Sequence, residues 1–127
     1  MSQYQAGVCN IGEAEVAKRR QVSYFGGILY LSFVSIALLR DFTEASTVSA
    51  IFPAMIFAVG FIQSRRKFCL AYGLMGSFNF QKLGTLTHVE DRDSLKADRK
   101  TAISILTQSL VLALLLTALA MTLNIFL

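Results

Sequence analysis

VSYFGGILYLSFVSIALL, residues Val22–Leu39, runs 18 residues without a charge and follows directly on Lys18-Arg19-Arg20-Gln21. As a helix it is about 27 Å long, close to the hydrocarbon thickness of a bilayer. Two more apolar stretches follow. Thr47–Ile62 has 16 residues and reaches spanning length if its helix runs from 43 to 63, up to the basic group Arg65-Arg66-Lys67. Thr101–Leu127 has 27 residues and is long enough to span with tilt. A soluble helical bundle needs a charged outer face on each helix, and these stretches carry no charge. With 54% hydrophobic residues and a mean hydropathy of +0.55, a chain of 127 residues has no core large enough to hide them. The expected fold is therefore all-α, a polytopic integral membrane protein with three transmembrane helices in a single membrane domain.

The basic residues orient it. Eleven of the 12 Lys and Arg lie in the N-terminal segment or between Ser64 and Lys100, and only Arg40 lies in the turn between the first two spans. By the positive-inside rule the N-terminus and the loop are cytoplasmic and the C-terminus is outside. The expected membrane is the plasma (inner) membrane. Residues 1–17 are polar and lack the apolar centre of a secretory signal. The net charge of +4 does not point to nucleic acid, because the bases sit at span ends. There Lys18, Arg19, Arg20, Arg65, Arg66 and Lys67 are expected to anchor to anionic headgroups.

The sequence divides into a cytoplasmic lead-in helix (1–21), span 1 (22–39), span 2 (43–63), a cytoplasmic loop of 37 residues (64–100) and span 3 (101–127). Asn10 with Glu13 three positions on resembles a capping box, predicting a helix from about Ile11 through Leu39. Gly26 and Gly27 lie inside it, where small residues let a neighbouring helix approach closely. Span 2 is expected to be capped by Asp41 or Thr43 and bent by Pro53, well inside it. Ala50, Ala54 and Ala58 recur every four residues, a small-residue seam for helix packing, with Phe52, Ile56 and Val59 off it.

Within the loop, Phe68–Phe80 is apolar and aromatic but interrupted by Gly73, Gly76 and Asn79, and too short to span. It reads as an interfacial or re-entrant segment, in contact with protein rather than alone on lipid. Gln81–Asp93 reads as extended around Gly84, Thr85, Thr87 and Val89. Asp93 or Ser94 then caps the final helix. Glu90, Asp91, Asp93 and Asp98, interleaved with Arg92, Lys96, Arg99 and Lys100, read as a solvated loop and helix start. In span 3, Ser104 and Gln108 share a face inside the membrane, where an amide needs hydrogen-bond partners.

Signs of chemistry are sparse. His88, Cys9 and Cys69 are far apart in sequence and form no C-x-x-C or H-x-x-x-H pattern, so no metal, other cofactor or catalytic residue is expected. A disulfide is not expected on the cytoplasmic side. The spans hold no Asp, Glu, Lys, Arg or His to carry a proton relay or a buried counter-ion. Two functional readings remain. One is a non-catalytic subunit or scaffold, not an enzyme, that packs in the lipid bilayer against copies of itself as a homo-oligomer or against other membrane-protein chains. The other is a small homo-oligomeric channel or facilitator lined by the polar face of span 3.

Overall fold

Glu13 and Glu15 lie in the first turn of a helix that runs uninterrupted to Leu39. Carboxylates there face the positive end of the helix dipole. In the computed structural model of the chain, which describes residues 4–80 and 86–127, this helix is α1 (Glu13–Leu39). A short helix α2 (Glu44–Thr47), a 3-10 turn (Val48–Ala50) and α3 (Ile51–Arg66) follow. Then come α4 (Leu70–Met75), a two-residue strand β1 (Ser77–Phe78), a second strand β2 (Thr87–His88) and α5 (Arg92–Phe126). Three helical units are long and apolar enough to cross a membrane: Glu13–Leu39 with 27 residues, Glu44–Arg66 with 23 and Arg92–Phe126 with 35. That is the architecture expected of a membrane protein.

Both turns at the ends of these helices close in the same way. Phe42 N–H donates to the Ala37 carbonyl across Asp41, which adopts φ 52°, and Phe68 N–H donates to the Gln63 carbonyl across Lys67, also at φ 52°. This is the six-residue hydrogen bond of a left-handed helix stop, here made without glycine. Thr43 caps α2 by accepting from Ser46 N–H at 3.2 Å. Pro53 lies inside the 23-residue helical unit Glu44–Arg66, on the third residue of α3. Its missing N–H would have met the carbonyl of Ser49, and the backbone there winds as a 3-10 turn instead.

α3 is the central helix, packed along α1 on one side and α5 on the other, while α1 and α5 touch sparingly. Ala50, Ala54 and Ala58 are each 0% exposed and form a core with Tyr30, Val34, Ala113 and Ala120. The α1–α3 crossing is tight. A Cβ on Gly26 would lie 2.3 Å from the backbone nitrogen of Phe57, and one on Gly60 would lie 2.7 Å from that of Ser23. Gly27 is different: a Cβ there would meet only the Phe57 ring, at 3.4 Å. Two polar ties join α5 to the rest of the bundle. Tyr30 O–H donates to the Leu116 carbonyl at 2.7 Å, and Asn124 Nδ2 donates to the Phe42 carbonyl at 2.8 Å.

Several local expectations are corrected. α1 begins at Glu13 after Gly12, which makes no side-chain cap, and Asn10 is not a capping residue. α5 is capped by Asp91, whose side chain accepts from Ser94 N–H, two residues before Asp93. The extended segment is realised as β2, antiparallel to β1 with Ser77 opposite His88 and Phe78 opposite Thr87. The remainder of that stretch through Gly84 and Thr85 lies outside the described residues. The apolar 68–80 stretch folds onto protein. Phe68 is buried against Ala102 and Ile105 of α5, and Gly73 brings α4 against the Phe68 ring and the Asp98 carbonyl.

Candidate functional site

The polar chemistry of the chain gathers at one end of the bundle, where the N-terminal segment, α4 and β1 cover the start of α1, the end of α3 and the first turns of α5. Asn10 is completely buried there. Its Nδ2 donates to the Cys69 carbonyl at 3.2 Å, and its Oδ1 accepts from Cys69 N–H at 2.6 Å. Its backbone is held as well, N–H donating to the Lys67 carbonyl and the carbonyl accepting from Asn79 N–H at 2.9 Å. Gly12 N–H returns to the Asn79 carbonyl at 2.8 Å, so the segment pairs as a short parallel bridge with Asn79. An asparagine can satisfy two backbone groups at once because its amide carries both a donor and an acceptor. This is why a residue resembling a helix cap instead pins two loops together.

Two carboxylates are buried in this cap. Glu15 is 3% exposed. One of its oxygens meets the Arg19 guanidinium at 3.1 Å and the other accepts from Tyr72 O–H. Arg19 also donates to the Cys69 sulfur at 3.0 Å and lies 5.6 Å from the Tyr72 ring centre. Asp98 is 0% exposed, which corrects the expectation of a solvated residue. It accepts from Tyr4 O–H at 2.5 Å and from Gly7 N–H at 2.7 Å, while Thr101 O–H donates to the Gly7 carbonyl at 2.6 Å. Glu90, Asp91 and Asp93 remain exposed. Every oxygen of the two buried carboxylates therefore has a donor, as burial of such groups requires.

Burial raises the pKa of the Tyr4 phenol well above its ordinary range, helped by its hydrogen bond to Asp98. The Tyr72 phenol is raised too, by burial and then by its bond to Glu15. Burial also pushes the Cys9 thiol up. Cys9 donates weakly to the Ile11 carbonyl at 3.6 Å. Both cysteines are free thiols, and His88 is exposed with Nδ1 3.4 Å from Ser77 Oγ. Among the described residues no three His, Cys, Asp or Glu side chains gather as a metal site. The cluster joins acids to donors already committed to them.

The other singled-out residues are placed as follows. Gln108 is exposed on α5, donating to Ser104 Oγ at 3.2 Å and accepting from Arg66 at 3.5 Å, a link from α5 to the end of α3. The buried hydroxyls of α5 are on another face: Thr117 donates to the Ala113 carbonyl, and Ser109 Oγ is buried without a partner among the described residues. Lys18, Arg20, Arg65 and Lys67 are exposed around the cap, Arg66 is half-buried, and Arg19 points inward to Glu15. Gly60, Asn10, Glu15 and Asp98 were missed by sequence reasoning as packing residues. The repeat Ala102, Ile105, Ser109, Ala113, Thr117, Ala120 marks the buried stripe of α5 and was readable as three- and four-residue spacing.

The chain matches no known protein family, no curated protein and no solved structure.

Proposed function

We propose that this chain is a non-catalytic integral membrane subunit or scaffold, with its N-terminus and the 64–100 loop in the cytoplasm and its C-terminus outside. The observation that carries this reading is the closure of the polar groups. Glu15 and Asp98 are consumed by donors within the cap, and the core between α1, α3 and α5 is built from Ala50, Ala54, Ala58, Ala113 and Ala120 with Tyr30 and Val34. Among the described residues that core holds no Asp, Glu, Lys, Arg or His. The outer faces instead carry large apolar side chains, among them Phe25, Ile28, Leu31, Phe52, Leu115 and Leu119, suited to lipid or to neighbouring apolar helices.

The channel reading keeps one supporting observation, the exposed face of Ser104, Thr107 and Gln108 on α5, partly or fully open to neighbours. Extraction in mild detergent followed by mass measurement separates the two. One or two copies beside unrelated chains support the subunit. A symmetric homo-oligomer with Ser104 and Gln108 facing its axis, together with solute flux in liposomes that Gln108→Leu abolishes, supports the channel and overturns the subunit.

A further inference from the structure

On α1, Arg20, Ser23 and Tyr24 line one wall of a groove of about 400 Å³, and on α3, Phe61, Ser64 and Arg65 line the other. The two helices run in opposite directions, so the walls repeat each other in depth. From the basic end inward, each presents an arginine, a serine and an aromatic ring. Arginine and ring are four residues apart on each helix, about 6 Å along the axis. The walls stand close because Gly60 leaves no side chain between α3 and the backbone of Ser23.

The charges at the mouth are uncompensated. The one ion pair among the described residues joins Arg19 to Glu15, and no carboxylate lines this groove. Glu13 lines the neighbouring groove together with Arg20 and Lys67, and makes no ion pair with either among the described residues. Arg65 is held over the Phe61 ring at 5.6 Å, which orients its guanidinium without neutralising it. Both serines have committed their protons to carbonyls one turn back, Ser23 to Arg20 at 2.7 Å and Ser64 to Phe61 at 2.9 Å. The anion-binding donors are therefore the two arginines, with small, already satisfied hydroxyls beneath them and aromatic rings below those.

We propose that this groove binds an anionic glycerophospholipid, its phosphate between Arg20 and Arg65 and the first part of an acyl chain over Tyr24 and Phe61. The site rests on the membrane placement of the chain and deepens it. General anchoring attracts anionic lipid to any base at the surface, whereas this groove sets two particular cations above the rings of Tyr24 and Phe61. A zwitterionic lipid brings its own cation to a mouth that already holds two.

The test uses the full chain. Liposome flotation first checks membrane association in phosphatidylcholine alone, and a chain that stays in the aqueous fraction overturns the membrane placement itself. Native mass spectrometry in detergent then titrates phosphatidylglycerol against phosphatidylcholine for the parent, for the R20Q/R65Q double variant and for K96Q/K100Q, which removes two bases on the same side but outside the groove. Expected is retention of phosphatidylglycerol over phosphatidylcholine by the parent and by K96Q/K100Q, with roughly tenfold or weaker retention in R20Q/R65Q. R20K/R65K, with the charges kept, should recover part of the affinity, which separates charge loss from misfolding. No preference in the parent, equal loss in both glutamine doubles, or no recovery in R20K/R65K despite a parent-like circular dichroism spectrum overturns the site. Competition by inorganic phosphate at millimolar concentration as effective as by lipid would assign the arginines to free phosphate and overturn the lipid.

Discussion

Asn10 grips the backbone of Cys69 from both sides, its Oδ1 accepting from the Cys69 N–H at 2.6 Å and its Nδ2 donating to the Cys69 carbonyl at 3.2 Å. The two residues are 59 positions apart, and both are buried. This pair closes the N-terminal segment over the turn that follows α3, beneath which lie Glu15, Arg19 and Tyr72.

Asn10→Ala should therefore loosen the cap. It leaves the buried Cys69 N–H unpaired, at a cost of about 1–3 kcal/mol when no water replaces the partner, while the Cys69 carbonyl keeps the Gly73 N–H at 2.9 Å. Thermal unfolding in detergent should show a clear loss, and limited proteolysis should open the N-terminal segment first. An unchanged unfolding temperature would mean that the cap contributes little to the stability of the bundle.

The two adjacent glycines of α1 should respond unequally. Gly26→Ala places a Cβ 2.3 Å from the Phe57 nitrogen, so α1 and α3 must separate. Overpacking of this kind costs roughly 1–3 kcal/mol, more where backbone is the obstacle. Gly27→Ala meets only the flexible edge of the Phe57 ring and gains helix propensity, so it should be neutral or stabilising. Equal effects in a thermal-shift comparison would contradict this crossing.

Ala54→Leu should disturb the core by a similar amount, because Ala54 is 0% exposed, whereas Phe52→Leu, at a position 71% exposed, should change stability little in detergent. Detergent melting curves for the two proteins provide the comparison.

Alkaline pH should weaken the cap through Tyr4. Burial and the bond to Asp98 raise its pKa in the folded chain above that of the unfolded chain. For a raised group the stabilisation is complete below the unfolded value, about 10, and is lost as pH rises towards and through the folded value. The sign is thus loss at high pH only. Unfolding temperatures between pH 8 and pH 11 should fall more steeply for the parent than for Tyr4→Phe, with Tyr72→Phe giving a second, smaller flattening. Parallel curves would show that neither phenol titrates differently on folding.

Orientation has its own check. Single cysteines at Ser46 and Lys96, both exposed, in a C9S/C69S background should label from opposite faces with an impermeant thiol reagent, Ser46 from outside only. Labelling of both from the same side would rule out the three-span arrangement.

The sequence by itself determined the three long apolar helices and the asymmetric placement of Lys and Arg, because hydrophobic length and charge are properties of contiguous residues and need no partner. The alanine spacing at Ala50, Ala54 and Ala58 was legible for the same reason, since four-residue recurrence places residues on one helix face. What sits opposite that face was not legible, and the tertiary structure decided it: Tyr30 and Val34 from α1, and Ala113 and Ala120 from α5. The cap depended on folding even more. Asn10 reads locally as a helix cap and Asp98 as one of several solvated acids. Their roles are set by Cys69, Tyr4 and Gly7, which lie 59, 94 and 91 residues away. A hydrogen bond is satisfied by whatever group the fold brings within about 3 Å, so the meaning of a polar side chain in this chain is fixed by tertiary proximity, while the meaning of its apolar stretches is fixed by length.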